Sequence, residues 1–171
     1  VHGRFDSAQT NDGNRKHWAQ ADSLSADAAL SADVRRTLRN RSRYEIQNNS
    51  YARGIVTTLA NDCVGTGPRL QLLNAGAKAS QIERDFGLWD KAIALAEKLR
   101  TMRMARVQDG ETFGIKVTNP QLTDRVKLEL RLVEADQVGS SWADLAAVDG
   151  ITFDKFGNPA TYSIFKEHPG R

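Results

Sequence analysis

Side chains that could do chemistry are sparse and scattered. The three histidines are His2, His17 and His168, near the ends of the chain, and Cys63 is the single cysteine. No CxxC or HExxH spacing occurs, so a zinc site has no ligand set in the sequence. No serine or cysteine has a histidine close to it in sequence, as a nucleophile–base pair read from local spacing would need. The glycines of Gly65-Thr66-Gly67 come after a helical stretch and before Pro68. A phosphate-cradling loop wants its glycines between a strand and a helix N-terminus, so this run reads as a helix stop. What remains is two carboxylate pairs, Asp109/Glu111 and Glu134/Asp136. Residues two apart on extended backbone share a face. Two such pairs together could hold Mg²⁺ for phosphodiester cleavage, which keeps a Mg-dependent nuclease, or another nucleic-acid accessory protein, as the alternative to a structural role. Strand ends and turns also collect solvated acids, and nothing in the sequence supplies a base or lysine beside them. The sequence therefore predicts no enzyme, no cofactor and no metal.

Charge is the second feature. The chain has 171 residues and a formal charge of +3. Arg35, Arg36, Arg39, Arg41, Arg43, Arg53 and Arg69 face only Glu45 and Asp62 in the same stretch, so residues 35–69 are basic and the remainder slightly acidic. Arg35, Arg39 and Arg43 follow at i, i+4 and i+8 and share one helix face. That stripe is expected to face a neighbouring subunit or DNA, in which case reversing it would weaken assembly and leave the fold intact. Val34 and Leu38 mark the adjacent stripe expected to be buried.

These groups must be carried by helices first and strands after. Residues 1–30 are polar and without sustained periodicity, and read as a flexible or docking arm with Trp18 as its docking residue. A body over 31–171 follows. Ser31 and Asp33 start a helix over about 32–48, and Asn49 or Ser50 starts another over about 50–63, whose ladder Tyr51, Ile55, Leu59 and Cys63 is expected to be core. Residues 69–73 read as a short strand. Ser80 and Glu83 fit a capping box opening a long helix to about 107, with Gly87 as the place where it would bend. Asp109-Gly110 is a turn, after which the period changes to two. Phe113, Ile115 and Val117 alternate, as do Val126, Leu128, Leu130 and Leu132. After a loop holding Trp142, residues 151–153 and 160–165 flank Asp154-Lys155-Phe156-Gly157-Asn158 as a hairpin. The fold class is α+β. Val1-His2-Gly3-Arg4 is no signal peptide, since no apolar stretch follows it, and the missing initiator methionine reads as a fragment or a processed chain.

Four segments in this order resemble the lambda-type portal proteins of tailed bacteriophages: Arg39–Gln71 (RNRSRYEIQNNSYARGIVTTLANDCVGTGPRLQ), Lys98–Ile115 (KLRTMRMARVQDGETFGI), Leu130–Val138 (LRLVEADQV) and Asp149–Gly170 (DGITFDKFGNPATYSIFKEHPG). The resemblance implies a structural subunit of a homo-oligomeric ring, typically of twelve copies, at one capsid vertex of the virion, assembled in the host cytoplasm. It implies a wing-like α+β body cut short before the stem and clip. The implied partners are further copies, the terminase packaging motor, head-completion and capsid proteins, and the double-stranded DNA that passes through the full ring at packaging and ejection. It brings no catalytic residues with it.

Overall fold

A computed structural model describes residues 9–73, 76–140 and 147–170; Trp142 and His2 lie outside them. The chain divides into two compact units, Val1–Arg35 and Arg36–Arg171. The elements in order are α1 (Ala26–Ala29), α2 (Ala32–Asn48), α3 (Ser50–Val64), α4 (Ala77–Ala92) and α5 (Leu95–Asp109), followed by β1 (Phe113–Thr118), β2 (Leu128–Val133), β3 (Ile151–Phe153) and β4 (Pro159–Tyr162). The fold is α+β, as the change of period predicts.

In the first unit, Asn11 closes a helical turn: Arg15 N–H donates to its carbonyl at 2.9 Å, and Trp18 N–H donates to Asn14 at 3.1 Å. The Ser25 hydroxyl accepts from Ala28 N–H at 3.2 Å and caps the four-residue α1, an element the composition of the arm did not signal.

In the second unit, Asn49 breaks α2 from α3. Its backbone is extended, and its side chain accepts from Tyr51 N–H at 3.0 Å and Ala52 N–H at 3.4 Å, satisfying donors a new helix leaves open. Gly65, at φ 54°, ends α3.

Helix α3 lies along α5, and α5 also packs on α4 and β2. The inward residues of α3 are Val56 and Ala60, both buried, while Tyr51, Ile55, Leu59 and Cys63 are exposed. The expected core ladder is therefore the outer face. Small side chains let two helix backbones come close, and this packing takes the narrow side of α3. Val34 and Leu38 are likewise exposed.

The long helix expected to 107 is two helices. They part at Ile93–Ala94, where Ala94 is left-handed at φ 52°, and Gly87 stays inside α4. A left-handed alanine costs about 1–2 kcal/mol. Buried Ile93 sits at the corner, and its burial offsets that cost. Ser80 falls inside α4 and caps nothing; the Glu83 carboxylate instead accepts from Leu72 N–H at 2.8 Å. That bond holds the segment expected to be a strand, which forms no ladder.

Strands β1 and β2 pair antiparallel, with Phe113 opposite Val133 and Thr118 opposite Leu128. β3 and β4 form a separate antiparallel hairpin, shifted in register between Thr152 and Phe153. The Asp154 carboxylate accepts from Phe156 N–H at 2.8 Å and Asn158 N–H at 2.9 Å and shapes its turn. The Phe113 and Tyr162 rings meet edge to face at 6.0 Å and join the two sheets.

Candidate functional site

The residues singled out for chemistry come together with the residues singled out for charge. Asp109 is the last residue of α5, and Gly110 turns the chain so that Glu111 follows it outward. Asp136 sits on a 3-10 turn, Ala135–Gln137, that directly follows β2. Glu134 and Gln137 cap that turn reciprocally, and Ala135 is buried beneath it, so Asp136 is held from both sides. Helix α2 lays Arg39 and Arg43, one turn apart, against these carboxylates.

Arg43 grips Asp109 with two parallel bonds, Nε to Oδ1 at 2.8 Å and Nη2 to Oδ2 at 2.9 Å, and reaches Asp136 Oδ2 through Nη1 at 2.6 Å. Arg39 donates through Nη1 to the other oxygen of Asp136 and through Nη2 to Glu111 at 2.9 Å. The fork of a guanidinium matches the two oxygens of a carboxylate, which makes such pairs directional as well as strong. His168 completes the group. Its Nδ1 accepts from Gly170 N–H at 3.0 Å, and its Nε2 lies 3.5 Å from both Glu134 and Asp136.

Water is largely kept out. The Asp109 side chain is 7% exposed and that of Arg39 10%. The Arg43 guanidinium is held above its ordinary value, chiefly by its hydrogen bond to Asp109, against the opposing effect of burial, with Asp136 adding to the rise. Burial pushes the Asp136 carboxyl up, but hydrogen bonds from Arg39 and Arg43 and their charges outweigh it, leaving the group below the usual aspartate range.

The arginine stripe is thus placed differently from the outward row that its spacing suggested. Arg39 and Arg43 are engaged by this chain's own acids, and Arg35 donates through Nη1 to the Leu30 carbonyl at 2.5 Å. The reason is that α2 offers its basic face, and not Val34 and Leu38, to the ends of α5 and β2. The two carboxylate pairs do converge, with arginines between them. Oxygens of Asp109, Glu111 and Asp136 that bind guanidinium groups are not free to ligate Mg²⁺, and no group of three or more His, Cys, Asp or Glu among the described residues is placed to hold a metal ion. Trp18, in the other unit, is 44% exposed and stacks edge-on with His17 at 4.5 Å. The arrangement is a structural clamp that ties α2 to two other elements.

No curated protein matches the chain. The family model for phage portal proteins of the lambda family does match it, over residues 12–171. The chain belongs to that family. In this portal chain the clamp lies inside three of the four segments that carried the resemblance: Arg39 and Arg43 in the first, Asp109 and Glu111 in the second, Asp136 in the third. His168 comes from the fourth. The role is that of a phage portal protein, a structural component of the virion. No helix among the described residues is long and apolar enough to cross a membrane.

The clamp gives the portal chain a pH dependence whose sign is fixed. A carboxyl whose folded value is depressed stabilises the fold above its unfolded value, and that contribution is lost as pH falls through the folded value. For Asp136 the unfolded reference is 3.8, so the contribution is complete at neutral pH and is lost below about pH 4. Thermal denaturation followed at pH 7 and pH 3 should show a drop in midpoint, and the drop should be smaller in Asp136→Asn. An equal drop in both proteins would place the acid sensitivity elsewhere.

Proposed function

We propose that this chain is a subunit of a homo-oligomeric ring at one capsid vertex, serving head assembly, entry of double-stranded DNA at packaging and its exit at ejection. Its partners in this reading are further copies, the terminase packaging motor, head-completion proteins and the capsid. The observation that carries the reading is the family match over residues 12–171. The surface supports it: α3 turns Tyr51 and Ile55 outward at 84% and 61% exposure, with Leu59 in line. Such a row of large apolar side chains marks an interaction surface. With Arg39 and Arg43 held by this chain's own acids, the two do not form an open basic row for DNA, and α2 serves the body of the subunit. The division of labour we infer is an arm over 1–30 that docks and a body over 31–171 that forms part of the ring wall.

Electron microscopy of the purified full-length portal protein, with the stem and clip that the family resemblance implies, tests the reading. Closed rings of a single subunit number are the expected result, because a heterologous contact between identical subunits either closes or runs on as a filament. Monomers alone, at every concentration and ionic strength at which the protein stays folded, would overturn it.

A further inference from the structure

An open cleft of about 1030 Å³ runs between α4 and the segment leading into β2, apart from the arginine clamp. Ile82, Phe86, Leu88 and Trp89 form its helix side, and Val126 and Leu128 its strand side. The Trp89 indole N–H donates to the Leu128 carbonyl at 2.8 Å, and Phe86 lies 5.5 Å from the Trp89 ring, so the walls are braced against each other. Yet Ile82, Leu88 and Val126 remain exposed. The cleft also has acid at its edge. Asp85 accepts from the Gln81 amide at 2.7 Å and Asp124 from Val126 N–H at 3.5 Å, and neither has an ion-pair partner among the described residues. Arg125 offsets one of these two charges.

The arm has the complementary features. Trp18 is exposed, as is Leu24 six residues on. Arg15 lies three residues before Trp18 on the same helical turn, on one face with it, and Lys16 stands beside them. Both cations are exposed.

We propose that the arm of a second copy of this chain occupies the cleft, with Trp18 against Phe86 and Trp89, and Arg15 and Lys16 facing Asp85 and Asp124. Tryptophan is one of the residues enriched among interface anchors, and complementary charges around it fix the register. Arm and cleft are different surfaces, so each copy gives one and receives one, the head-to-tail contact from which rings are built. The inference rests on the ring reading above.

The test is disulfide trapping in a Cys63→Ser background. Chains carrying Ala19→Cys, which keep Trp18, are mixed with chains carrying Leu88→Cys and oxidised. The expected product is a cross-linked heterodimer, at least about tenfold in excess of dimers from either variant alone. That factor corresponds to about 1.4 kcal/mol, the least an anchor of this kind contributes. Adding Arg15→Glu and Lys16→Glu to the arm variant should remove the excess, and adding Asp85→Lys and Asp124→Lys to the cleft variant should restore it. All six positions leave the buried residues untouched, and circular dichroism of each variant verifies the fold. No heterodimer above the homodimer background overturns the proposal. So does a disulfide that forms only within one chain when both cysteines are placed together. Rings seen by microscopy without the cross-link would overturn the arm assignment and leave the ring reading standing. Cross-linked pairs that never close into rings would do the reverse.

Discussion

Arg43→Ala is expected to cost about 3 kcal/mol of folding stability, the lower end of the range for breaking one side of a buried ion pair, because the Arg43 side chain is 21% exposed. The loss comes less from the bonds removed than from the acid left behind. Asp109 is 7% exposed and would keep only the Gln108 amide, at 3.3 Å. An ionised carboxylate without its partner in such a place must be hydrated, protonated or expelled, and each opens the contact between α2 and the end of α5. For a chain of 171 residues this corresponds to a fall in midpoint of about 10 °C. Arg43→Lys should recover little of it, since an ammonium cannot make the two parallel bonds that the guanidinium makes. The double variant Arg43→Ala/Asp109→Ala should be more stable than Arg43→Ala alone, because it removes the stranded charge together with its partner. Differential scanning calorimetry of the four proteins settles the matter. Near-native stability of Arg43→Ala would show that the clamp is decoration. Reversing the whole stripe should therefore lower the stability of the subunit itself, so that a loss of assembly in that variant would not by itself locate an interface.

The clamp also shows what sequence reasoning can and cannot reach here. That Arg39 and Arg43 share a face follows from helical spacing, and that Asp109/Glu111 and Glu134/Asp136 form pairs follows from their separation of two. Neither pattern states that they meet, because the partners lie 66 to 97 residues apart and are joined only by the packing of α2, α5 and the β2 end. Boundaries set by local chemistry were legible. The α2–α3 break at Asn49 and the stop at Gly65 rest on side-chain caps and a left-handed glycine, which a sequence displays. The corner at Ala94 was not legible, because its cause is the burial of Ile93 by residues elsewhere. The same holds for α3. Size and apolarity pointed to Tyr51, Ile55 and Leu59 as core, but α5 approaches the side where Val56 and Ala60 permit it. The missing strand at 69–73 had apolar residues and no partner, and a strand without one has no ladder. The family resemblance needed no folding argument, since it rested on four segments in order.

Gly150→Ala should be the most damaging of the single-methyl changes in the second half of the chain. Gly150 has φ 80°, and a Cβ placed there would lie 2.6–2.8 Å from the backbone N, C and Cα of Gly139. Those are main-chain atoms, and no rotamer change can move them aside. Moving Gly139 would break a linked set of bonds. Gly139 N–H donates to Ser163 at 3.2 Å, Ser163 N–H donates to Gly150 at 2.7 Å, and Gly150 N–H donates to the Ser140 hydroxyl at 2.7 Å. The left-handed backbone costs an alanine about 1–2 kcal/mol, and the overlap adds about 1–3 kcal/mol as overpacking does elsewhere. The two together give a loss of about 2–5 kcal/mol. Gly157 supplies the control. Its φ is 84°, nearly the same, but nothing stands within 4 Å of the Cβ position. Gly157→Ala should then cost only the backbone part, about 1–2 kcal/mol. The difference between the two variants in denaturant unfolding isolates the contact from the conformation. Equal losses would mean that the 139–140 segment yields freely to Gly150, and that the bonds joining it to Ser163 do not brace the hairpin.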